Sequence, residues 1–115
     1  MARAALHRWD EIPLEKVTEM VARKAVTGRA QSLVQLYVKK GALVPRHEHA
    51  GEQLIYVLQG ALRVTAGRET FTVREGELLQ VPARLAHQAE ALDDTFLLDL
   101  RAPGPDPPAA ASEVP

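Results

Sequence analysis

The chain has 115 residues, 46% hydrophobic and 25% charged, with a formal net charge of -1 and no cysteine. That length suits one domain with a core of its own. The near-zero charge gives no electrostatic reason to expect nucleic acid as a partner, and the missing thiols exclude disulfides, zinc fingers, iron–sulfur clusters and thiol catalysis. Any metal must be held by imidazole and oxygen ligands.

Met1 to Asp10 carry Arg3, His7 and Arg8 without an apolar stretch, which argues against a secretory signal. No run reaches the 18 or more apolar residues of a membrane span, so no membrane partner is expected and the expected location is the cytoplasm. Pro13 suits a first helical turn, and Leu14, Val17 and Val21 fit one helix face. Met20 to Thr27 reads equally well as a strand before Gly28. The expectation is a short turn of helix followed by a strand.

From Ser32 to Arg101 short β-like runs alternate with turn residues. Val34, Leu36 and Val38 share a face in a run that ends at Lys39-Lys40-Gly41. Leu54 to Leu58 is apolar on both faces, as in a strand covered on both sides. Beyond Gln59-Gly60, Leu62, Val64 and Ala66 alternate with Ala61, Arg63 and Thr65. Phe71 and Val73 follow the turn at Gly67, and Leu78 to Val81 follows Glu75-Gly76. Two last runs, Leu85 to Leu92 and Thr95 to Arg101, flank Asp93-Asp94. Many short strands with frequent turns favour a sandwich or closed barrel. Ala102 to Pro115 holds five of the eight prolines, cannot enter a sheet interior, and reads as a mobile tail (102–115) behind a folded unit of residues 1–101.

The chemistry concentrates in the segment from Gly41 to Gly60. His47 and His49 lie at i and i+2 of an extended segment and so point to one side of the pleat, with Glu48 facing away. Gln53 opens the next strand within reach of the same point. His87 follows the turn containing Pro82. Three imidazoles and an amide oxygen suit one divalent transition metal: manganese, iron, cobalt, nickel, copper or zinc. Glu52 is the rival anionic ligand, but strand parity turns it to the opposite face. His7 reads as an ordinary exposed side chain.

This pattern resembles the cupin superfamily. Gly41, His47, His49 and Gly60 stand at the spacing of its first motif, whose acidic ligand position falls on Gln53. Gly76, Pro82 and His87 stand at the spacing of its second motif, in which Arg84 replaces a glycine and Ala91 an asparagine. The resemblance runs from about Ile12 to Arg101. It implies an all-β fold, the cupin double-stranded β-helix or jelly-roll barrel, with a metal inside one open end and commonly a homodimer. Within the superfamily the chain is most similar to small single-domain proteins of the KdgF-like pectin-degradation group. Its His47, His49, Gln53 and His87 coincide with that group's metal set, and the runs Trp9 to Pro13 and Glu52 to Leu58 also look like that group. The implied chemistry is conversion of 4,5-unsaturated monouronates to linear ketonised sugars.

A late Asp-x-Phe sequence serves the active site in that group. Here Asp99 keeps the aspartate, a candidate general acid/base, and Arg101 stands in place of the phenylalanine. The residues themselves leave a second possibility. Phe96, Leu98 and Leu100 form an apolar face, and if that face is the core, Asp99 is a solvated strand residue. Arg46, Arg63, Arg84 and Arg101 are candidate carboxylate binders, each with an ordinary rim or strand role as the alternative. Leu54, Tyr56 and Leu58 are candidates for a dimer interface, with ordinary packing against the N-terminal strand as the alternative. Three functions are consistent with this pattern. The first is metal-assisted proton transfer on a sugar acid or another small anionic or enolic molecule. The second is a dioxygenase acting on an enolic or phenolic compound. The third is non-catalytic binding of a small anion.

Overall fold

The computed structural model of the protein describes residues 3–102. Among them one 3-10 turn, Trp9–Glu11, precedes ten strands. These are β1 (Glu15–Thr18), β2 (Val21–Thr27), β3 (Ser32–Val38), β4 (Leu43–His47), β5 (Gln53–Gln59), β6 (Ala61–Ala66), β7 (Glu69–Arg74), β8 (Leu78–Val81), β9 (His87–Ala91) and β10 (Thr95–Arg101). They form two antiparallel sheets, ordered β1-β2-β3-β10-β5-β8 and β4-β9-β6-β7. This is the all-β double-sheet architecture that the short alternating runs imply.

The strand period of two sorts the side chains between the sheets. Leu36 of β3, Ile55 and Val57 of β5, Leu62 and Val64 of β6, Val81 of β8 and Leu97 of β10 are each at most 2% exposed and form one cluster. Burial on this scale contributes roughly 1.5–3 kcal/mol per large aliphatic side chain. The chain crosses from one sheet to the other between β5 and β6 at Gly60, whose φ is 93°. A Cβ there would meet the Asp94 carbonyl and Thr95, so only glycine fits the corner.

Three details differ from the sequence reading. Leu14, Val17 and Val21 do not share a helix face. Lys16 and Thr18 pair with Ala22 and Val21 in a β1–β2 hairpin, because the hairpin can extend the larger sheet whereas an isolated helical turn buries little. Along β5 the faces are unequal. Gln53, Ile55 and Val57 are buried, while Leu54, Tyr56 and Leu58 on the outer face are half-buried. The same holds for β10, where Thr95, Leu97 and Asp99 are buried and Phe96, Leu98 and Leu100 lie on the outer, half-buried face. The apolar face of β10 is therefore the outside of the sheet, and Asp99 faces in. Ala102 is described; the predicted tail beyond it lies outside the described residues.

The core is apolar through its middle and polar at one end. Reading inward-facing positions along β10 gives Thr95, Leu97, Asp99 and Arg101. The antiparallel partner β5 begins with Gln53, directly across from Arg101. In the other sheet β4 ends at His47, opposite His87, the first residue of β9. Register alone thus brings the ends of two strands and the starts of two others to one mouth of the barrel.

Candidate metal centre

Three imidazoles converge at this mouth. Ring centroids lie 4.4 Å apart for His47 and His87, 4.9 Å for His49 and His87, and 5.6 Å for His47 and His49. One ring nitrogen from each lies within 4.8 Å of the others, close enough that the three could hold a metal ion. His49 and His87 are buried and His47 is partly so.

Each ring is held by the backbone two residues away. The Nδ1 of His47 donates to the Pro45 carbonyl at 2.8 Å, that of His49 to Gly51 at 3.0 Å, and that of His87 to Leu85 at 2.9 Å. A carbonyl only accepts, so Nδ1 carries the proton in all three rings. The neutral ring then presents a lone pair at Nε2. The Nε2 atoms of His47 and His87 are buried with no hydrogen-bond partner among the described residues. Buried polar atoms are ordinarily paired, and metal-ligating histidines ordinarily anchor their other nitrogen in this way.

Gln53 and Asp99 extend the cluster. The Gln53 amide donates through Nε2 to Asp99 Oδ1 at 2.9 Å. That bond fixes the orientation of the amide and turns Oε1 toward His49, whose Nε2 lies 3.0 Å away. Both atoms offer lone pairs, so the contact is unfavourable unless a cation is shared there, either a second proton on His49 or a metal ion. Two ligand atoms bound to one metal at about 2.1 Å and at a right angle stand about 3.0 Å apart. The donor set therefore fits a divalent transition ion in both chemistry and spacing.

The electrostatics agree. His87 has its pKa lowered from 6.5 to about 4, chiefly because burial disfavours the charged ring, with the neighbouring His47, His49 and Arg101 adding to the effect. The hydrogen bond to Leu85 opposes it. His87 is thus a neutral, metal-ready ring at ordinary pH. Asp99 is pushed above the usual carboxylate range, first by burial, against the opposing pull of Arg101, Gln53, His49 and His47.

Of the sequence candidates, His47, His49, Gln53, His87 and Asp99 are brought together. Glu52 is exposed and accepts a hydrogen bond from Gln80 at 2.9 Å, away from the cluster. His7 is exposed. Arg63 pairs with Glu90 on the outside of the smaller sheet, and Arg46 reaches the Gly67 carbonyl. Arg84 is exposed, with φ at 64°, the left-handed conformation that glycine adopts freely, and its N–H donates to the His49 carbonyl at 2.8 Å. Arg101 alone among the four arginines turns inward, with one Nη 3.6 Å from Asp99 Oδ2. Strand parity puts Arg101 on the same face as Asp99, two residues earlier, so the two face inward together once that face is known.

Residues 34–99 match the family described as Cupin domain. An uncharacterized protein of Methanocaldococcus jannaschii is 28% identical over 82 residues, which cover 70% of this chain and 66% of that protein. The match thus spans about two thirds of that relative's length. The solved structure of KdgF from a Halomonas species is 27% identical, with a TM-score of 0.83, covering 90% of this chain and 97% of that one. An RmlC-like cupin from Shewanella frigidimarina is 20% identical with a TM-score of 0.82, covering 90% and 95%. The last likeness concerns the fold alone. In all of the described residues, no helix is long and apolar enough to cross a membrane.

Proposed function

This chain belongs to the cupin domain family, and from that premise we propose that His47, His49, Gln53 and His87 hold one divalent transition metal at which a small sugar acid, or a similar anionic enol, undergoes proton transfer. The observation that carries the reading is the buried Asp99 carboxyl, linked to the imidazole cluster through the Gln53 amide. A bound metal would polarise a substrate oxygen and favour the enolate form. The rest falls to the side chains of this chain. Asp99 lies beside the cluster, and burial raises its pKa above the usual carboxylate range, the direction that suits a group that both donates and accepts a proton. Gln53 holds one carboxyl oxygen of Asp99 in place and leaves the other free of it.

For a 4,5-unsaturated monouronate, the substrate class implied by the likeness to KdgF, the balance is an isomerisation. The anomeric hydroxyl loses a proton, the bond between carbon 1 and the ring oxygen breaks to leave an aldehyde, and the released enolate takes a proton at carbon 4 to become a ketone. In this reading Asp99 supplies that proton. The test is to supply metal-loaded protein with unsaturated monouronates and follow the loss of enol-ether absorbance; a rate equal to that in buffer removes this reading.

A second copy of the chain is proposed to cover the outer face of the larger sheet. Leu54, Tyr56 and Leu58 of β5 lie beside Phe96, Leu98 and Leu100 of β10 there, all only half-buried in one chain. An apolar sheet face of this kind is what dimers bury.

A further inference from the structure

We propose that Arg101 is the anion-binding residue of this site, and that it selects ligands carrying a carboxylate next to the metal-binding oxygen. The inference rests on the cluster holding a metal and names the ligand class it accepts. Arg101 ends β10 on the inward face, directly across from Gln53. Its side chain is 17% exposed and packs toward Gly51, where an added Cβ would lie 3.5 Å from Arg101 Cγ.

Two features set it apart from a fully satisfied ion pair. Its nearest carboxylate contact, to Asp99, is 3.6 Å, longer than a hydrogen bond. Its Nε is buried with no hydrogen-bond partner among the described residues. A planar guanidinium with unused donors is suited to the paired oxygens of a carboxylate.

Charge gives the same answer independently. Three neutral imidazoles and an amide cancel none of the charge of a divalent ion, and Arg101 adds another positive charge. Against these, the buried carboxyl at the cluster among the described residues is that of Asp99, which accepts from Gln53. The loaded mouth therefore carries an excess of positive charge, and an uncompensated buried charge is costly. A ligand that brings its own negative charge restores the balance; a neutral one does not.

The test is calorimetric titration of metal-loaded protein with D-galacturonate and with its neutral amide, with the metal content of each sample measured. The wild type binds the acid at least about tenfold more tightly than the amide, as expected for a charge-assisted pair. Arg101→Met erases that preference, and Arg101→Lys retains part of it, since a point charge remains without the fork. Both variants keep full metal content. Equal affinity of wild type and Arg101→Met for the acid overturns the proposal. So does a wild type that binds neither compound, or a loss of acid binding that tracks a loss of metal. Binding of the acid through Arg101 without turnover keeps this inference and removes the enzymatic reading; turnover with an unchanged Arg101→Met affinity does the reverse.

Discussion

Acid should weaken the metal-free protein through His87, and the structure sets the size of the effect. The ring is 0% exposed and its pKa falls from 6.5 to about 4 on folding. Between those values the unfolded chain binds a proton that the folded chain refuses. Stability is therefore whole above 6.5 and is lost as pH falls towards 4. Each pH unit is worth 1.36 kcal/mol, so the full shift corresponds to about 3 kcal/mol, and about 2–3 kcal/mol is expected between pH 7 and pH 4.5. The assay is urea unfolding of chelator-treated protein at a series of pH values, for wild type and His87→Leu. The variant lacks the titrating ring, so its profile should be flatter by that amount. Raising Asp99 acts with the opposite sign, because the folded state then binds the extra proton, but it acts in both proteins and cancels in the comparison. Parallel profiles would refute the claim that folding strips His87 of its proton.

Three further outcomes are expected. Asp99→Asn should keep its oxygen for the Gln53 amide and retain metal by elemental analysis, yet lower turnover of an unsaturated uronate by roughly a hundredfold or more. Arg84→Gly should raise the unfolding free energy by about 0.5–1 kcal/mol, because the left-handed backbone at φ 64° disfavours a side chain by more than glycine's added chain entropy. Leu98→Glu, at the middle of the outer face where Leu98 pairs with Gln35 and Tyr56, should give a monomer by sedimentation with unchanged circular dichroism; a wild type that is already monomeric would remove the dimer.

The strands were legible because alternation is a local property. Thr95 to Arg101 and Ala61 to Ala66 can be read from the sequence to within a residue of their ends. What was not legible was which face of a strand looks inward. In β10 the face with Phe96, Leu98 and Leu100 is the more apolar, yet it lies outside, and the inward face is Thr95, Leu97, Asp99 and Arg101. A barrel with a polar mouth places its polar residues inward at one end, so hydrophobicity assigns the wrong face there. Only the pairing of Arg101 with Gln53, a long-range register, resolves it. The N-terminal hairpin failed for a related reason. The spacing of Leu14, Val17 and Val21 satisfies a helix, but sheet pairing with β2 outweighs that weak local preference.

Two oddities of the sequence then become one arrangement. The glutamine at the acidic position and the late aspartate look unrelated 46 residues apart, yet Gln53 Nε2 and Asp99 Oδ1 are hydrogen-bonded at 2.9 Å. A glutamate at position 53 would have no N–H to offer and would set a second carboxylate against Asp99. The two could not both ionise at that separation, so one would be forced to hold a proton. The amide solves this by presenting an oxygen to His49 on one side and a donor to Asp99 on the other. The carboxyl is thereby moved one side chain away, from the position facing the imidazoles to Asp99. Gln53→Glu should accordingly tie the two carboxyls to one shared proton, and metal-free Gln53→Glu should lose stability relative to wild type as pH rises from 5 to 7.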